Sequence, residues 1–173
     1  MPIILKDSLI SLGFESLKSS SFIRIMESML KLLKVPISMA IFCPCDTGKL
    51  YEDCCQNLHN GAFPENALAL MRSRYSAYAL QLAAYIIRTT HLKNPHYDQD
   101  HRRWTREILC FCQNTIFHKL EILDFIDGED EAYVTFDAHL IQDKQPLDLI
   151  EKSHFEKVNR QWLYRDACHI THS

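Results

Sequence analysis

Apolar residues recur at steps of three and four between Pro64 and Thr90, where Leu68, Met71, Tyr75, Tyr78, Ala79, Leu82 and Ile86 fall on one face of a helical wheel. The spacing predicts one long helix, with Arg72, Arg74 and Gln81 on its polar face. Pro64 suits a first helical position, where a missing N–H has no intrahelical acceptor anyway, and Glu65 complements the positive end of the helix dipole. Asn94-Pro95 marks a loop. A second helix is predicted from His101 to Cys112, with Trp104, Ile108, Leu109 and Phe111 inward.

Past Cys112 the period shortens to two, which signals strands. Ile116 to Ile126 alternates and stops at Asp127-Gly128, a hairpin-type turn. Ala132, Val134, Phe136, Ala138 and Leu140 then share one face, and Tyr133, Thr135, Asp137 and His139 share the other. Leu147 to Val158 follows Pro146, and Trp162 to Ile170 follows the Asn159-Arg160 turn. Links this short predict an antiparallel meander whose apolar face is covered by the preceding helices, an α+β domain.

Upstream, Phe22, Ile25, Met26, Met29, Leu32 and Leu33 predict an amphipathic helix from Phe22 to Lys34 that ends before Pro36. Residues 1–38 are either a helical arm or a stretch ahead of a true start at Met39, which opens directly onto the first cysteines. A chain of 173 residues holds one main domain and an appendage, because two full cores need more chain. With 47% apolar and 24% charged residues it has the balance of a globular protein rather than a disordered one. A net charge of −3, with both signs interspersed, argues against nucleic acid or an anionic membrane surface as partner. No apolar run reaches the roughly 18 residues of a membrane span, and Glu15, Arg24, Glu27 and Lys31 interrupt any secretory signal. The expected location is the cytoplasm, where seven cysteines read as metal ligands or buried apolar residues before disulfides.

Four of them cluster as Cys43-Pro44-Cys45 and Cys54-Cys55, with Gly48 between to permit a tight turn. Four thiolates this close can converge on the corners of a tetrahedron around Zn²⁺. All four positions would then be protein sulfur, so the metal would hold the loop together rather than act on a substrate. Unliganded thiols, a redox pair or iron are the alternatives. Cys110 and Cys112 on the second helix, and Cys168 on the last strand, read as core. Arg72, Arg74, Arg102, Arg103 and Arg106 read as a solvated helix face.

At these residues the chain resembles known proteins. The run from Cys43 to Cys55, Cys-Pro-Cys-Asp-Thr-Gly-Lys-Leu-Tyr-Glu-Asp-Cys-Cys, resembles the SEC-C zinc motif. Met71-Arg72-Ser73-Arg74-Tyr75-Ser76-Ala77-Tyr78, Thr89-Thr90-His91, Glu151-Lys152-Ser153-His154-Phe155 and Trp162-Leu163-Tyr164-Arg165-Asp166 resemble the bacterial YchJ family over about residues 39 to 170. The resemblance implies a zinc knot over residues 39–62, then a nuclear transport factor 2-like domain over 63–173, a cone in which a bent antiparallel sheet is wrapped by helices around a pocket. Two departures stand out. The family commonly ends in a second SEC-C motif, absent from the residues up to Ser173, so partner binding that needs it is in question. Asp46-Thr47-Gly48-Lys49 also replaces the usual Gly-Ser-Gly-Lys-like stretch, and Asp46 can still cap a local turn.

In such a cone, Glu151, Ser153 and Phe155 share one strand face and Trp162, Tyr164 and Asp166 share one face of the next. From these faces Glu151, Ser153, Phe155, Trp162 and Asp166 join Tyr75, Tyr78 and Trp104 as the candidate pocket residues, and His91 is expected at the rim. The leading functional expectation is a zinc-binding, non-catalytic protein-interaction module, linked through the SEC-C resemblance to protein export or ribosome-associated factors, with the knot as the partner surface. The alternative is an enzyme or small-ligand binder using the pocket, with His91, Asp166 and Glu151 as acid–base candidates.

Overall fold

The helix expected over residues 64–90 is in fact two helices, and the break explains itself. In the computed structural model, which describes residues 41–172, α1 spans Cys55–His59, α2 Ala67–Ala79, α3 Ala83–Arg88 and α4 His101–Gln113. The helix expected at Phe22 to Lys34 and the start at Met39 lie outside the described residues. α2 ends in a Schellman motif: Leu82 N–H donates to the Ala77 carbonyl at 2.8 Å, Gln81 N–H donates to that of Tyr78 at 3.1 Å, and Gln81 sits at φ 59°. Glycine normally signals this turn, so a glutamine there hid it. At the other end Asn66, not Pro64, caps the helix, its Oδ1 accepting from Ala69 N–H at 2.8 Å. Because Gln81 is exposed and left-handed, Gln81→Gly is expected to stabilise the fold by about 0.5–1 kcal/mol in urea denaturation. A loss of stability would show that the side chain makes contacts that outweigh the strain.

Four strands follow in the order β1 Thr115–Ile126, β2 Glu131–Gln142, β3 Gln145–Val158 and β4 Gln161–His172, each antiparallel to its neighbour. Ala132, Val134, Phe136, Ala138 and Leu140 are all buried, as the alternation of β2 predicts. Asp143-Lys144 and Asn159-Arg160 form two-residue loops with φ positive at both positions, the primed turn that matches strand twist. Gly128 is needed for a different reason: a Cβ there would collide with the Glu131 carbonyl.

Both edge strands carry bulges. On β4, Tyr164 pairs with Phe155 but Asp166 pairs with His154, so one residue of β3 faces two of β4 and Arg165 is the extra one. A second shift follows between Ser153↔Ala167 and Lys152↔His169, and β1 has two of its own. These irregularities bend the sheet around α2, which touches β1, β2 and β4. Eight residues of α2 are buried, Ser73, Arg74 and Ser76 among them, because α2 lies between the sheet on one side and the cysteine segment on the other. The expected polar face is therefore corrected at Arg74, which is only 7% exposed. α4 turns Trp104, Ile108 and Cys112 inward and leaves Cys110 and Phe111 exposed. Its start is capped by Asp100, which accepts from the N–H groups of Arg102 and Arg103.

Candidate metal centre and candidate cavity

The cysteine segment folds as a small hairpin followed by α1. Cys43 N–H donates to the Lys49 carbonyl at 2.8 Å, and Tyr51 N–H donates to that of Ile41 at 2.8 Å. Asp46 and Gly48 take φ of 61° and 73°, so aspartate adopts the left-handed conformation that glycine would reach without cost. The four sulfurs of Cys43, Cys45, Cys54 and Cys55 lie within 4.8 Å of one another. Cys45 and Cys54 are 3.5 Å apart, Cys54 and Cys55 3.9 Å. A tetrahedral ion with metal–sulfur bonds of about 2.3 Å sets its sulfurs roughly 3.8 Å apart, so the donor set fits such an ion. Hydrogen bonding among the thiols holds Cys43 down and pushes Cys45 up to about 11. Thr47 Oγ1 lies 3.3 Å from both Cys45 and Cys54 sulfur, a contact that spacing alone did not suggest.

The cysteine segment is joined tightly to α2. Cys43 sulfur is 3.6 Å from Ser76 Oγ, and Arg72 Nη1 donates to the Cys45 carbonyl at 2.7 Å. His59 sits at the joint. The Ser73 carbonyl can only accept, so His59 Nε2–H donates to it at 2.9 Å while Nδ1 accepts from Tyr51 hydroxyl at 2.7 Å. From α3, Arg88 Nη2 donates to the carbonyls of Leu58 and His59.

On the far side of α2, a cavity of about 690 Å³ opens between α2, α4 and the inner face of the sheet. Of the residues singled out in the sequence, Tyr75, Tyr78, Trp104, Glu151, Ser153 and Phe155 line it. Ser153 and Tyr164 hydroxyls both donate to Glu151 Oε1, the latter at 3.0 Å. Arg74 also borders the space, its Nη1 donating to the Ile86 carbonyl and to the Thr89 and Thr90 hydroxyl oxygens, its guanidinium 4.7 Å from the centroid of the Tyr164 ring. Burial raises the Tyr164 phenol well above its ordinary value. Tyr164 was foreseeable as the residue between Trp162 and Asp166 on an alternating strand; Arg74 was not, since a cation on a helix reads as solvated.

Three expected pocket residues are elsewhere. Asp166 is carried to the outer face by the β4 bulge, where its Oδ1 lies 3.5 Å from His154 Nδ1. Trp162 is buried under the Lys157 ammonium, 4.5 Å from its ring centroid, and does not border the cavity. His91 is buried where the segment after α3 runs beside β4: its N–H donates to the Tyr164 carbonyl, Nδ1 accepts from Lys93 N–H, and Nε2 is 3.7 Å from Glu156. His91, Asp166 and Glu151 therefore do not meet as an acid–base set. Cys168 is exposed rather than core, because the second β4 bulge turns the strand there.

Two histidines are expected to titrate on opposite sides of the ordinary value of 6.5. Burial lowers His91, despite Glu156, whereas the hydrogen bond to Asp148 raises His139, helped by Asp137 and Glu121. By linkage, the His139 contribution to stability is present below about 6.5 and lost as pH rises through its folded pKa. His91 instead costs stability as pH falls below about 6.5, since the unfolded chain takes up the proton first. NMR titration of the ring protons checks the order; coincident midpoints would remove both environments.

Residues 66–167 match the family described as "YchJ, middle NTF2-like domain". The chain belongs to the YchJ family. The YchJ relatives include the UPF0225 protein SG1365 of Sodalis glossinidius, 36% identical over 133 residues that cover 74% of this chain and 83% of the relative. UPF0225 protein SCO1677 of Streptomyces coelicolor is 37% identical over 132 residues, covering 72% and 93%. Two solved structures described as SEC-C motif containing proteins share the fold. RPA3114 from Rhodopseudomonas palustris aligns with a TM-score of 0.61 at 29% identity, over 72% of this chain and 95% of its own. The Psychrobacter arcticus protein aligns with 0.60 at 27% identity, over 76% and 83%. The YchJ domain of this chain is thus nuclear transport factor 2-like, an antiparallel sheet with helices, preceded by a cysteine cluster compatible with metal binding. No helix of the described residues is long and apolar enough to cross a membrane.

Proposed function

We propose that this YchJ protein is a small-molecule-binding module, in which the cavity between α2, α4 and the sheet holds the ligand and a structural Zn²⁺ in the cysteine knot braces α2 from behind. One observation carries the reading. The cavity, at about 690 Å³, is of ligand size, and its apolar wall is interrupted by one converging polar group built from Glu151, Ser153 and Tyr164. Zinc is favoured because four thiolates fill a tetrahedral shell and leave no place for water or substrate. Elemental analysis should find one zinc per chain, lost in Cys54→Ser and retained in Cys110→Ser; loss only in the latter would sink the assignment.

The ligand reading is tested with phenethyl alcohol, a neutral probe small enough for the cavity. Its titration should shift the NMR signals of the Trp104 indole and the Phe155 and Tyr164 rings together. Shifts confined to surface residues, or none up to the solubility limit, from this probe and from charged probes of the same shape would overturn it. A protein contact through the knot is the second reading, and it rests on Ile41, Phe42 and Phe63, which are 59%, 70% and 66% exposed.

A further inference from the structure

The cavity has an uneven distribution of charge. Glu151 sits on β3, opposite Phe136 of β2, in the middle of an inner face that is otherwise built from Phe155, Ala138, Leu140 and Leu149. A carboxylate there, partly withdrawn from water, needs compensation, because desolvating an ion costs several kcal/mol. What the fold supplies is partial. Both observed donors, the Ser153 and Tyr164 hydroxyls, approach Oε1, and among the described residues no basic side chain forms an ion pair with Glu151. Oε2 has no protein donor in the same network.

Arg74 is the positive group closest to hand, and one of its terminal nitrogens is committed to the fold. Its Nη1 donates to three acceptors in α3 and the segment after it, and its guanidinium lies against the face of Tyr164. The Tyr164 ring therefore receives Arg74 on its face and offers its hydroxyl to Glu151, and it stands between the two charges. Glu107, whose side chain is 65% exposed, adds a second carboxylate to the cavity lining. The remaining wall is rich in aromatic rings, including Tyr78, Trp104, Phe111 and Phe117. Ring faces attract cations and repel anions, and the attraction grows when water is excluded.

We infer that the ligand of this cavity is an organic cation, an amine on an aromatic or aliphatic body, whose ammonium group meets Glu151 while the body packs among the rings. This inference rests on the cavity being a ligand site. An anionic ligand would add a further negative charge beside Glu151 and Glu107, and a neutral one could give Glu151 a hydrogen bond but no opposite charge.

Three probes of similar shape decide it by NMR titration of the whole protein: phenethylamine, phenethyl alcohol and hydrocinnamate. The amine should bind about tenfold more tightly than the alcohol, and the carboxylate more weakly than either. Glu151→Gln should bring amine and alcohol to within about twofold of each other. If the alcohol binds in the cavity as tightly as the amine, or hydrocinnamate binds best, the cation inference falls while the cavity reading stands. An amine preference that survives Glu151→Gln would also overturn it, since the carboxylate would then not be its cause. If none of the three perturbs Trp104, Phe155 or Tyr164 in the wild type, both readings fall together. The comparison on the wild-type protein needs no variant, so a folding defect in Glu151→Gln cannot mask the outcome.

Discussion

Chelating the proposed Zn²⁺, or replacing Cys55 by Ser, is expected to lower the melting temperature of the whole domain by about 10 °C, not merely to loosen a terminal loop. The contacts between the cysteine segment and the domain carry this expectation. Ser76, fully buried on α2, meets Cys43 sulfur; Arg72 holds the Cys45 carbonyl; His59 holds that of Ser73; Arg88 holds the end of α1; and Leu58 packs against the main core. Losing several hydrogen bonds at roughly 1 kcal/mol each gives about 3 kcal/mol or more, and a domain of this size loses about 3 °C per kcal/mol. Calorimetry with and without a chelator is the measurement. An unchanged transition would mean that the knot folds and unfolds as a separate bead.

Arg74→Ala is expected to cost about 3 kcal/mol, the larger of the single-side-chain effects proposed for the surroundings of the cavity. The change removes a charged donor from three acceptors and uncovers the face of Tyr164. Arg74→Lys should recover less than half of the loss, because one ammonium cannot lie flat on a ring and reach the Ile86, Thr89 and Thr90 oxygens together. Chemical denaturation reads both. A cost under about 1 kcal/mol for alanine would show that water takes over the arginine's role.

The four strands were legible because their alternation is strong and their links are short; Ala132, Val134, Phe136, Ala138 and Leu140 face inward as the pattern predicts. The second helix was legible from its apolar spacing, which placed Trp104 and Ile108 inward correctly but not Phe111. What the pattern could not reveal was anything that depends on a residue acting against its type. Gln81 ends a helix in a place where glycine would be read. Arg74 is buried because two layers enclose α2, and a helical wheel assumes only one. The stretch Arg72-Ser73-Arg74-Tyr75-Ser76, which carried part of the family resemblance, turns out to be the joint of the molecule. It reaches Cys45, Tyr85, Thr89, the Lys119 carbonyl and Cys43 in turn. Of the candidate cavity residues, those on regular strand and helix positions fell where alternation placed them, and Asp166 did not because strict alternation fails across a bulge.

That bulge makes the position of Arg165 a place where the chain can change length without changing its lining. Tyr164, Asp166 and Ala167 already oppose Phe155, His154 and Ser153 in regular alternation once Arg165 is set aside, so loss of that one residue would remove the bulge and leave its neighbours on the faces they now occupy. A one-residue gap in an alignment of relatives at this point is therefore silent for the layer facing Ser153 and is felt in the curvature of the sheet. Relatives that differ by such a gap should line their cavities alike and differ in how far the edge strand curls.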